Sequence, residues 1–148
     1  MTQGRVDLKI VADRLAIVTT CIAALRRLPI ESFEAFGADW RNAAAADSLL
    51  RRAIEALFDA ARHVLAKAFG LGPLECREVA RLAAEKDLVG DPLLQTRLRE
   101  IAGFRNRLTH FYDEVTAQEI FGITRAELGD LEAIAEQLRI ATTRLSQG

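Results

Sequence analysis

Residues 92–113 read PLLQTRLREIAGFRNRLTHFYD, and the reading of this stretch decides the fold. Leu94, Leu98, Ile101, position 105, Leu108 and position 112 recur at steps of three and four, which is one stripe of an α-helix. Asp91 stands where an N-cap is wanted and Pro92 where the first helical residue needs no amide donor. The spacing therefore predicts a helix over 92–113. Its apolar seam is broken twice, by Arg105 and by Tyr112. Seven residues turn a helix by about 700°, so on a continuous helix these two stand nearly above one another on the buried face.

The same rhythm runs outward in both directions. Leu8, Val11, Leu15, Val18, Ile22 and Leu25 mark a first long helix, closed by Pro29. Leu50, Ile54, Leu57, Ala61, Val64 and Ala68 mark a central one, with Asp47 or Ser48 as the expected cap and Gly70-Leu71-Gly72-Pro73 as the stop. Leu128, Leu131, Ala135, Leu138, Thr142 and Leu145 give the inner face of a last helix. Its two candidate starts, Thr116 with Glu119 and Thr124 with Glu127, both fit a capping box. Short helices are expected near 31–39 and 75–86. Long amphipathic helices with short connections predict an all-α, antiparallel four-helix bundle, six helices at most with the short ones. With no repeat or linker, residues 1–148 are expected to form a single domain.

Composition narrows the function. Half of the 148 residues are hydrophobic and only 6% aromatic, so the core must be aliphatic. A net charge of −1 gives no global pull toward nucleic acid or membrane. Cys21 and Cys76 match no metal or redox spacing and are expected to be reduced thiols. Arg5, Asp7, Lys9, Asp13 and Arg14 leave no room for a signal-peptide core, and no stretch approaches the ~20 apolar residues of a membrane span. A cytoplasmic protein follows as the expectation. No phosphate-binding loop, dinucleotide fingerprint, zinc-ligand set or serine triad is present.

What remains is the polar group Arg105, Asn106, His110 and Tyr112. Burying a guanidinium costs several kcal/mol unless it is paired, which motivates a partner or ligand for Arg105. Asn106 and His110 share a helix face. Arg105 and His110 diverge by about 140°, so a bend near His110 or a second copy of the chain is expected to bring them together. Ordinary structural roles stand beside the functional one: an arginine near a helix end can bond the last carbonyls, and the helix dipole favours a histidine there.

Residues 104–115, FRNRLTHFYDEV, resemble the R-x4-H-x-Y signature of HepT-like toxins in the HEPN superfamily. The likeness in order of parts extends over about residues 5–145. It implies a HEPN helical bundle that forms a homodimer with the motifs facing each other. It implies a metal-independent endoribonuclease acting on RNA, with no cofactor. It also implies an antitoxin partner, an MntA-type minimal nucleotidyltransferase, that silences the toxin by AMPylation of the motif tyrosine. Carried over, Arg105 and His110 are catalytic, Asn106 and Tyr112 orient substrate, and Tyr112 is the modified residue. The alternative is a non-catalytic protein that serves a nucleotidyltransferase as a substrate-binding partner. Asp113-Glu114 after the tyrosine is compatible with it.

The residue types suit metal-free RNA cleavage. Histidine titrates near neutrality and can move the 2′-hydroxyl proton. Arginine presents a planar fork to phosphate oxygens. Residues 97–110 hold four arginines against one glutamate, expected to form a basic patch beside the motif or an ordinary solvated face. His63, beside Arg62, reads as a boundary histidine. Arg51, Arg52 and Glu55 read as helical ion pairs, with lining of the cleft as the alternative, and Trp40, Phe33 and Phe36 as packing at the N-terminal corner or on a partner.

Overall fold

The computed structural model describes residues 4–147. Four long helices make the frame: α1 (Leu8–Arg26), α3 (Trp40–Phe69), α5 (Pro92–His110) and α7 (Leu128–Gln147). Three short ones connect them: α2 (Phe33–Gly37), α4 (Cys76–Glu85) and α6 (Ala117–Ala126). A 3-10 turn, Tyr112–Glu114, follows α5. No strand occurs among the described residues. The bundle is the expected one, with one short helix more than anticipated. The extra one arises because the segment after Thr116 forms a short helix of its own before the last long one. Thr116 caps α6 by accepting from the Glu119 amide, whereas Thr124 is buried inside α6 and bonds the Ile120 carbonyl.

The thirty-residue α3 runs through the middle and packs against α1, α4, α5, α6 and α7. Its buried face carries Leu50, Ile54, Leu57, Ala61 and Val64, as the periodicity required. It begins earlier than expected. Asp39, not Asp47 or Ser48, is the N-cap, and its carboxylate accepts from the Arg41 amide. The Arg41 side chain also donates to Asp39 and holds its pKa at about 2. The alanine run at 43–46 propagates helix well but shows no apolar rhythm, which hid these first two turns. At the other end Gly70 takes a left-handed conformation (φ 68°, ψ 28°) and its amide closes onto the Ala66 carbonyl.

The remaining core follows the stripes. Val11, Leu15, Val18, Ile22 and Leu25 of α1 and Leu128, Leu131 and Leu138 of α7 are buried, and Leu8 is not. Phe36 is buried against Phe121, and Phe33 meets the same ring edge-on at 5.5 Å. Trp40 takes no part in this corner and is 78% exposed. Cys21 and Cys76 are free, buried thiols. Among the described residues no helix is long and apolar enough to cross a membrane.

Candidate active site

Helix α5 starts as the sequence requires, with the Asp91 carboxylate accepting from the Leu93 amide and Pro92 in the first turn. It ends three residues sooner than expected, at His110. Phe111 leaves helical geometry (φ −134°, ψ 41°), and its amide still bonds the Arg107 carbonyl. Tyr112 is therefore not on the α5 seam. It sits on the 3-10 turn, 68% exposed, and the expected stacking of Tyr112 above Arg105 does not form. Phe111 and Tyr112 are both exposed, so no core contact holds this end on the helix.

Arg105 does occupy the seam. It is half-buried, and its Nε donates to Glu55 Oε1 of α3 at 2.5 Å. The hydrogen bond to Glu55 raises the arginine pKa, with burial opposing it. Only Nε is used: Nη1 and Nη2 make no hydrogen bond among the described residues. Glu55 was expected to pair along its own helix. It reaches across to α5 instead.

Arg105, Asn106 and His110 all border one cavity of about 390 Å³ between α3, α4 and α5. On the helix wheel, with Arg105 at 0°, Ala102 lies near 60°, Asn106 near 100° and His110 near 140°. Small Ala102 sits inside this arc, so the cavity opens between the three polar side chains. All three border it within one chain. Arg62 of α3 and Cys76 and Arg77 at the start of α4 complete the wall. Burial pushes the Cys76 thiol up, and the fields of Arg62 and Arg105 oppose this.

The basic patch expected at 97–110 does not form as such. Arg97 is paired with Glu100 and Asp130, and Arg107 with Glu119. Arg99 donates to Thr96. Only Arg105 of the four borders the cavity; the other cations there are Arg62 and Arg77. The sequence held a signal for this: Glu55, Asp59 and Arg62 fall at steps of four and three, a polar stripe on the central helix. His63, beside Arg62, is the boundary residue expected. Its Nε2 accepts from the Asp7 amide at 3.0 Å, joining α3 to the start of α1, and burial lowers its pKa. Arg51 bonds the Leu108 carbonyl at 2.8 Å and pairs with Asp47, so it anchors the last turn of α5.

A helical bundle with a polar arginine–histidine cavity at the end of one helix and an exposed tyrosine on the next turn defines the class. Residues 18–138 match the HepT-like family, described as ribonuclease HepT-like, and the chain belongs to that family. Solved structures share the fold. A tri-AMPylated HEPN toxin of Shewanella oneidensis in complex with MNT antitoxin has a TM-score of 0.77 at 23% identity, over 88% of this chain and 97% of that one. A toxin–antitoxin structure with AMP-PNP has a TM-score of 0.77 at 22% identity, over 89% and 98%. An MntA–HpeT complex with a tyrosine-to-alanine substitution has a TM-score of 0.76 at 21% identity, over 88% and 98%. No curated protein matches the sequence.

Proposed function

We propose that this protein is the toxin of a HEPN–nucleotidyltransferase toxin–antitoxin pair, a cytoplasmic endoribonuclease that cuts RNA without a metal ion. The observation that carries this reading is the cavity bordered together by Arg105, Asn106 and His110. The RNA 2′-hydroxyl attacks the adjacent phosphorus. His110 takes or returns the proton, the 5′-oxygen leaves, and a cyclic phosphate and a 5′-hydroxyl result. The terminal nitrogens of Arg105 meet the charge growing on the phosphate oxygens. Asn106 orients the phosphate or the imidazole. A homodimer that sets two such cavities against each other supplies a second imidazole, so that one takes the proton and the other returns it.

Tyr112 is the residue for control. Its exposure on the turn beyond His110 suits transfer of AMP by a partner nucleotidyltransferase of the MntA type. The added phosphate repels RNA beside the cavity. The modified toxin among the structural relatives is consistent with this.

RNA cleavage by the purified protein in the presence of a chelator tests the reading. His110→Ala and Arg105→Ala are each expected to lower the rate by about 10²-fold or more. Unchanged rates in both variants overturn it. A second reading, a non-catalytic partner of a nucleotidyltransferase, is favoured by the engagement of Arg105 with Glu55. Stable complex formation with no cleavage selects it.

A further inference from the structure

Two cations of the cavity lie outside the motif. Arg62 is held by three hydrogen bonds: Nε to the Leu74 carbonyl at 2.9 Å, Nη2 to Cys76 Sγ at 3.0 Å and Nη1 to Asp59 at 3.0 Å. A guanidinium has five N–H groups, so one remains on each terminal nitrogen. The side chain is fixed before any ligand arrives, and little rotamer freedom is left to lose. Arg77, at the start of α4, is exposed and makes no ion pair among the described residues. The opposing charges are Glu75 at the same mouth, Asp59 on Arg62 and Glu55 on Arg105. Arg62 bonds the buried Cys76 thiol, and Arg105 borders the same cavity from a different helix.

We propose that Arg62 and Arg77 form a second phosphate subsite, which holds the phosphate next to the one that is cut. This deepens the nuclease reading and rests on it. A repeating polyanion is the ligand that suits cations spaced along one cavity on three helices. Arg105 and His110 meet the reacting phosphate, and Arg62 and Arg77 take its neighbour. The site then grips a strand rather than a single nucleotide. Arg62 sets the register because it cannot move, and Arg77 closes on the bound strand from the mouth.

The test uses the His110→Ala protein, which is expected to hold RNA without cutting it. Its affinity for a fluorescent single-stranded oligoribonucleotide is measured over a range of salt. Arg77→Ala is expected to weaken binding about fivefold at low salt and to reduce the salt slope by about 0.7, the loss of one phosphate contact. Arg62→Lys keeps the charge but not the fork, and is expected to weaken binding and to lower the melting temperature as the bonds to Leu74 and Cys76 are lost, whereas the exposed Arg77→Ala is expected to leave the melting temperature unchanged. With His110 intact, Arg77→Ala is expected to raise KM more than it lowers kcat. If the parent cuts RNA and both variants match it in affinity, slope and KM, the subsite is overturned and the nuclease reading stands. If RNA binds with a slope that Arg77→Ala reduces but nothing is cut, the nuclease reading falls, and the subsite falls with it as a neighbour of a cut phosphate, leaving a site that only binds RNA. If no RNA binds at all, both fall.

Discussion

Arg105 Nε and Glu55 Oε1 meet at 2.5 Å across the gap between α5 and α3, and this contact aims the rest of the guanidinium. With Nε occupied, the terminal nitrogens are the edge left for an anion. Glu55→Gln keeps the shape and removes the charge. The pair is partly exposed, so the expected stability loss is about 1 kcal/mol or less. The expected effect on cleavage is larger, about tenfold in kcat, with RNA affinity not weakened because a competing carboxylate is gone. Thermal melts and steady-state cleavage check this, and a faster variant would show that Glu55 restrains Arg105 rather than aiming it.

The bond from Arg51 to the Leu108 carbonyl secures the turn that carries His110. Arg51→Ala leaves that carbonyl to solvent and is expected to cost about 1 kcal/mol. Amide exchange at 107–111 is expected to speed up and cleavage to fall, although Arg51 is absent from the cavity wall. Exchange measured by mass spectrometry together with activity reads both effects.

His63 makes stability depend on pH. As an acceptor from the Asp7 amide it must be neutral, and burial lowers its pKa below the ordinary 6.5. Below 6.5 the unfolded chain takes up the proton first. The stabilisation is therefore full above 6.5 and is lost as pH falls toward the lowered folded value. His63→Gln can still accept but does not titrate. Denaturant unfolding at about pH 7.5 and about pH 5.5 is expected to show a smaller acid loss in the variant than in the parent.

On the proposed function, a change at Tyr112 is expected to separate catalysis from its control. Tyr112→Phe retains the ring and is expected to cut RNA within about threefold of the parent, since the side chain projects from the turn rather than into the α5 seam. Incubated with the partner nucleotidyltransferase and ATP, the parent is expected to gain AMP mass and lose activity. The variant is expected to do neither at this position, as peptide mass spectrometry will reveal.

Some of this was legible in the chain itself. Asp91, Pro92 and Thr116 begin helices α5 and α6 where their side-chain chemistry says they must. The stripes on α1, α3 and α7 name most of the residues that those three helices bury, and the R-x4-H-x-Y string named the helix end that borders the cavity. A helix repeats every 3.6 residues and is capped within one turn, so its rule is written in neighbouring letters.

The end of α5 at His110, the pairing of Arg105 with Glu55 and the diversion of Arg97 and Arg107 to acids on other helices were not so written. Nor were the bonds from Arg62 to Leu74 and Cys76, twelve and fourteen residues away. An arginine has several acids within reach in any amphipathic sequence. Which one it meets depends on how far apart the helices pack and where each one stops, and those are decided only when the core closes.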